Sequence, residues 1–444
     1  MSSSPFLRRT DLVSIWSLAW PLILSNLTVP LVGAVSTGVI GHLDDPAYLG
    51  GVALGTLIFT YVYWAFGFLR MGTTGLASQA HGAQAVDEVR AVLARALILA
   101  AVFGGLLTLF RGPIGTAGLS LLEGSTAVQS HARDYFEIRI LAAVPALANI
   151  ALLGWFLGLQ NTRYGLIQQV VINGINILLS VVLVFGAGLD VEGVAWAAVL
   201  GQTAGLVVAL VLARRLLRQI GGRFERDRIF SLTPIKAMVA VNRDIFIRTV
   251  CVLTGTAFFM DRSAALGEVA LAANAVLMVF QTLSAYAMDG FAQATEAIVG
   301  KAIGARDRLR LDIAARAGTV CALAVAVVAA AIYTLFGGLI IELLTGIDSV
   351  RREADAHLIW AILLPLASIW AFQLDGIFIG ATRTAEMRNA MIASLIAFVA
   401  AGLPLVDLFG NDGLWGAYVA FMGARAVTLY LYYPRVQAMA GPRP

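Results

Sequence analysis

Two carboxylates stand where the surrounding residues call for hydrocarbon. Asp289 interrupts the apolar run 269–292 in Ala285-Tyr-Ala-Met-Asp-Gly-Phe291, and Asp375 lies within Gln373-Leu-Asp-Gly-Ile-Phe-Ile-Gly380. At helical spacing Gln281, Ala285, Asp289, Gln293 and Glu296 share one face. A carboxylate at bilayer depth costs about 2.5–3.5 kcal/mol on insertion scales, so its presence asks for a function. One function is ion coupling: the group exchanges a proton near neutral pH where low dielectric disfavours its charge, or it offers oxygens to Na⁺. The other is an ion pair, Asp375 with Arg383, Arg388 or Arg425, and Asp289 with Lys301 through its neighbours. Glu296 and Glu386 are placed nearer the interface, in solvated or salt-bridged roles. Tyr286, one turn before Asp289, is the aromatic best placed to meet a hydrophobic substrate.

The first half carries neutral polar stripes instead. Asn26, Pro30, Gly33 and Thr37 follow a 4-3-4 spacing, with Ser36 beside them, and Gln169, Asn173, Asn176 and Ser180 repeat it. Pro30 removes a backbone hydrogen bond and is expected to loosen its helix. Either the stripes line a wet cavity or they are interhelical hydrogen bonds of about 0.6 kcal/mol each. The deep cations are few, Arg425 and Arg139.

These residues sit on elements that composition defines. The chain has 444 residues, 59% hydrophobic and only 13% charged. That balance excludes a soluble globular protein and marks an integral membrane protein. The apolar runs lack the alternation of a β-barrel. Twelve are long enough to cross about 30 Å of hydrocarbon as helices. The fold class is therefore all-α integral membrane. Cys251 and Cys321 read as small buried hydrophobes and allow no disulfide framework. No Walker A, zincin or dinucleotide motif occurs, so neither an enzyme nor a resident cofactor or metal is expected.

The halves repeat. An offset of 222 lays Leu49, Ala53, Gly82 and Ala83 on Leu271, Ala275, Gly304 and Ala305, and Gly158 and Thr162 on Gly380 and Thr384. Asp289 falls opposite Gly67, so the acid belongs to one half only. The expected organisation is a six-helix lobe over 1–213, a linker over 214–243 and a second lobe over 244–444. Six helices is an even number, so the lobes are parallel repeats with a cleft between them, the architecture of a transporter. Arg8, Arg9, Arg70, Arg90, Arg163, the Arg-rich linker, Lys301, Arg383 and Arg435 fall on one side, while Asp44, Asp45, Glu123, Asp190, Glu192, Glu268, Asp348 and Asp412 fall on the other. The positive-inside rule then puts both termini in the cytoplasm of a bacterial inner membrane. The net charge of +4 expresses this topology and not nucleic-acid binding. The expected partners are lipid and small amphipathic substrates, with no obligate protein partner.

The chain resembles the multidrug and toxin extrusion (MATE) family, in its DinF-type branch. The resemblance rests on Asn26-Leu-Thr-Val-Pro30, Gly41-His-Leu43, Leu49-Gly-Gly-Val-Ala-Leu-Gly55 and Leu69-Arg-Met-Gly-Thr-Thr-Gly75. It continues through Asn242-Arg-Asp244, Asn274-Ala-Val-Leu-Met278, the Asp289 segment, Leu374–Arg383 and Glu386-Met-Arg-Asn389. It implies twelve helices in two lobes and export of amphipathic, often cationic compounds in exchange for H⁺ or Na⁺. It also implies a first-lobe proton site on two carboxylates, where this chain has Ser36 and Ser180. Coupling is then expected at Asp289 and Asp375, with Asn26, Ser36, Asn173, Asn176, Ser180, Tyr286 and Gln293 around the substrate. The alternatives are a weakly coupled transporter, a lipid-linked precursor flippase with cations in its cleft, and a non-transporting scaffold in which Asp289 has no role.

Overall fold

A computed structural model describes residues 7–43 and 45–442, with side chains at 29–31 left aside; Asp44 and the Pro30 side chain lie outside the described residues. The described chain is helical almost throughout, because in hydrocarbon a helix satisfies every backbone group within its own segment. The first half comprises α1 (Arg9–Ile40), α2 (Pro46–Ala65), α3 (Phe68–Gly82), α4 (Val86–Leu109), α5 (Arg111–Ser120), α6 (Thr126–Arg139), α7 (Ala143–Gly158), α8 (Thr162–Val181) and α9 (Asp190–Ile220). After a short α10 (Arg226–Ile229) come α11 (Leu232–Ala265), α12 (Glu268–Gly304), α13 (Arg308–Leu344), α14 (Asp348–Ala356), α15 (Leu358–Gly380) and α16 (Thr384–Met439).

Among the described residues ten helical segments are long and apolar enough to cross a membrane. Two further crossings complete the twelve-helix, two-lobe architecture. α16 runs for 56 residues and breaks at Gly410, whose φ of 57° and ψ of −131° are non-helical, so it holds two crossings. α11 is 34 residues long and carries Arg248 within its apolar stretch, flanked by Asp244, Asp261 and Arg262. Its charges lower its hydropathy and leave its length intact.

The chain divides into two compact units. One comprises Leu24–His81 with Ala85–Val239; the other comprises Met1–Ile23, Gly82–Gln84 and Ala240–Pro444. Of the segment 214–243, only 221–231 lies between the long helices α9 and α11. Its first turn needs glycine, since Gly221 and Gly222 have φ of 76° and 75°. The turn is fastened to the start of α4: Arg90 donates to the carbonyls of Leu217 and Gly221, and the Arg223 amide donates to Asp87 at 2.8 Å. The second half closes in the same manner. There Arg308 donates to the Gln437 carbonyl at 3.0 Å, and Gln437 donates to Asp312 at 2.8 Å.

The 222-residue correspondence extends to packing. A Cβ at Gly154 would strike the Arg70 carbonyl, and one at Gly376 would strike the Ala292 carbonyl. Gly158 lies against the backbone of Thr74 and Ser78; Gly380 lies against that of Glu296 and Gly300. Each member of one set is its counterpart in the other plus 222. α3 and α7 thus approach backbone to backbone in one unit as α12 and α15 do in the other. Small residues permit this, and dispersion over the close contact holds it in a medium that supplies no hydrophobic drive between helices.

Valine at Gly158 or Gly380 is expected to cost about 1–3 kcal/mol through overpacking. Alanine at Gly105, where a Cβ meets nothing within 4 Å, is expected to cost no steric penalty. Thermal melting of the purified variants in detergent checks the contrast; equal melting of all three would show that the glycine contacts are not tight.

Candidate ion-coupling and substrate site

The second unit is built on α12. Along its polar face Gln281 and Glu296 are buried, while Ala285, Tyr286, Asp289 and Gln293 keep part of their surface. Glu296 is only 1% exposed, which excludes a solvated role for it, and its backbone lies against that of α15 at Gly380. Asp289 immediately precedes Gly290, where the first part of α1 meets α12: a Cβ there would strike Ile23 and come within 3.3 Å of the Ala19 carbonyl. The Trp16 and Phe291 rings meet beside the same crossing, tilted by 47° with centroids 5.3 Å apart. Asp289 therefore sits at a helix junction.

Asp375 lies a little over one turn before the end of α15 and is buried. Its Oδ2 accepts from Arg425 Nη2 at 2.7 Å and also from Arg248 Nη2. Of the three ion-pair partners expected, only Arg425 takes part. Arg383 pairs with Glu386 at 3.1 Å, and Arg388 pairs with Asp244 at 2.7 Å. Arg248 was not foreseen. Arg139, the other deep cation expected, donates to the Tyr135 hydroxyl and lies 4.8 Å over the Phe59 ring.

Several motif residues prove to be ties between helices. Asp244, 4% exposed, takes Arg388 and the Thr384 hydroxyl, joining α11 to the start of α16. Asn274 donates to Ser263 at 2.8 Å and to Asn411 at 2.7 Å, and accepts from Trp415 at 2.8 Å. That clamp holds α11, α12 and the second crossing of α16 together. On α12 and α15, Thr295 donates to Gln373 at 3.1 Å.

The polar stripes of α1 and α8 in the first unit hold amides and hydroxyls in place of charges. Asn173 donates to Thr28 at 2.6 Å, joining α8 to α1, and Ser180 donates to Asn176 at 3.2 Å within α8. Ser180 is fully buried, whereas Asn26, Ser36, Asn173 and Asn176 are partly so. Of the adjacent amides on α8, it is Gln168 and not Gln169 that is enclosed. Its amide donates to the Asn149 carbonyl and side chain at 3.0 and 2.9 Å, and Asn149 donates onward to Gln202. A one-residue step turns a helical side chain by about 100°, which the 4-3-4 spacing alone did not resolve.

Duplicated helical halves, buried acids and neutral polar stripes define a polytopic membrane transporter. The MatE family profile matches the chain twice, over residues 21–182 and 245–406, two copies whose starts lie 224 residues apart. The chain is 42% identical over 430 residues to DNA damage-inducible protein F of Escherichia coli K12, covering 97% of this chain and 93% of the relative. It is 24% identical over 420 residues to the probable multidrug resistance protein NorM of Bacillus cereus, covering 91% and 90%. An outward-facing multidrug resistance MATE transporter of the MOP superfamily superimposes with a TM-score of 0.86 over 97% of this chain and 96% of its own, at 18% identity. The chain belongs to the MatE family, in its DinF-type branch, and is a transporter.

Replacing Gln168 by alanine is expected to strip Asn149 of its donor and cost about 1–3 kcal/mol. The same change at Gln169 is expected to stay within about 0.5 kcal/mol. A melting comparison of the two variants reads the difference; equal losses would mean that the amide cluster does not stabilise α8.

Proposed function

We propose that the chain is a secondary active exporter of amphipathic organic compounds, cations foremost, working by alternating access of its two repeated halves. H⁺ drives it, with Na⁺ as the second candidate ion. Asp289 carries this reading: a carboxylate partly accessible in mid-helix, at the junction of α12 with α1. Serine does not titrate near neutral pH, so Ser36 and Ser180 cannot take the proton in the first half. Asp375 enters coupling only in a state in which a guanidinium has left it, since here it serves two. Asn26, Asn173, Asn176, Tyr286 and Gln293 supply polar and aromatic contacts for substrate. The multidrug resistance named for the NorM relatives supports the substrate class. The charge bias of the loops and the bacterial relatives support a bacterial inner membrane with both termini cytoplasmic.

The serines favour a second reading, a weakly coupled transporter. Efflux of ethidium from proteoliposomes under separately imposed pH and Na⁺ gradients decides between them. The expected result is gradient-driven efflux by wild type that falls to background in Asp289→Asn. Should neither gradient drive wild type while Ser36→Asp restores efflux, weak coupling is the correct reading. An Asp289→Asn protein that transports normally would remove Asp289 from the mechanism.

A further inference from the structure

The second unit holds more buried positive than negative charge around Asp375. Arg248 comes from α11, Arg425 from the second crossing of α16 and Asp375 from α15; their side chains are 14%, 5% and 6% exposed. Both guanidiniums bind one carboxylate oxygen, Oδ2. The Nε of each arginine and Oδ1 of Asp375 are buried without a hydrogen-bond partner among the described residues. Arg425 has one further contact, the Met422 sulfur at 3.2 Å, a weak acceptor.

A lone carboxylate neutralises one guanidinium and leaves the other uncompensated. Burying an unpaired ion costs several kcal/mol even after relaxation, so a structural pair has no use for a second arginine. A guanidinium also presents its donors in a rigid fork matched to carboxylate and phosphate, and most of those donors are unspent here. The surroundings add an apolar wall. The Phe421 ring lies 5.7 Å from the Arg425 guanidinium, and Tyr418, Phe421 and Met422 belong to one buried cluster. Arg248 is the more exposed of the two.

We propose that Arg248 and Arg425 form, around Asp375, a binding site for the carboxylate or phosphate of an amphipathic anion. The site is independent of the export reading, because it is defined by binding and not by transport. Asp375 occupies the donors while no anion is present and yields some of them when one arrives.

The test is calorimetric titration of the full chain in phosphatidylcholine nanodiscs with 1-naphthoate and 1-naphthyl phosphate, and with 1-naphthylmethylammonium as the cationic control. Wild type is expected to bind the two anions. Arg248→Gln and Arg425→Gln are expected to weaken binding about tenfold or more, the loss of a charged hydrogen bond. Arg248→Lys keeps the charge without the fork and is expected to fall between. Asp375→Asn removes the competing carboxylate and is expected to tighten anion binding, which guards against arginine variants that merely misfold. The proposal is overturned if the anions bind wild type and both glutamine variants alike, if they do not bind at all, or if Asp375→Asn weakens them. It is equally overturned if only the ammonium probe binds and Asp375→Asn abolishes it. Repeating the titration with phosphatidylglycerol in the nanodisc separates two sources of the same chemistry. Displacement of naphthoate assigns the anion to a lipid headgroup, and undiminished binding assigns it to a soluble substrate.

Discussion

Backbone contact at glycine is the constraint on which the rest of this fold depends. Lipid is as apolar as leucine, so helices in it gain nothing by merely hiding side chains from their surroundings. They gain by touching closely, and the closest touch is main chain on main chain. Gly154 and Gly158 give that to α3 and α7, and Gly376 and Gly380 give it to α12 and α15. The second contact fixes the height and rotation of α15 against α12. It thereby sets where Asp375 lies, and it seals Glu296 beneath a neighbouring helix.

The two halves share this scaffold and differ in what it encloses. In the first unit the buried polar groups are mostly neutral, with Gln168, Asn149 and Gln202 in one chain of hydrogen bonds and Asn173 with Thr28 in another; Arg95, paired with Glu88, is the charged exception. Neutral amides satisfy one another at modest cost, and such networks rigidify when complete. The second unit encloses charge: Asp244 with Arg388, and Asp375 with Arg248 and Arg425. Charges in low dielectric persist only when paired or employed. Duplication preserved the glycine register, and the two interiors then took on different chemistry.

Part of the candidate site was legible before any fold was known. Asp289 and Asp375 announce themselves because a carboxylate is conspicuous against hydrocarbon. Ser36 and Ser180 were notable only beside the family resemblance, since serine is commonplace in membrane helices. Arg248 is inconspicuous in the sequence because it lies on a helix already rich in charge at its ends, and its partner is 127 residues away. Gln168 is equally so, because periodicity identifies a polar face without saying which of two adjacent amides turns inward.

The sequence by itself determined that this chain crosses a membrane in twelve helices, that its halves repeat and that its interior holds acids. Those facts follow from local composition, spacing and self-similarity, which need no contacts. The tertiary structure alone decided which arginines meet Asp375, that Glu296 is buried, and that motif residues such as Asn274 and Asp244 tie helices together. Pairing depends on how helices far apart in the chain rotate and approach. That rotation is set by side-chain packing across helix faces, a quantity that no single segment carries.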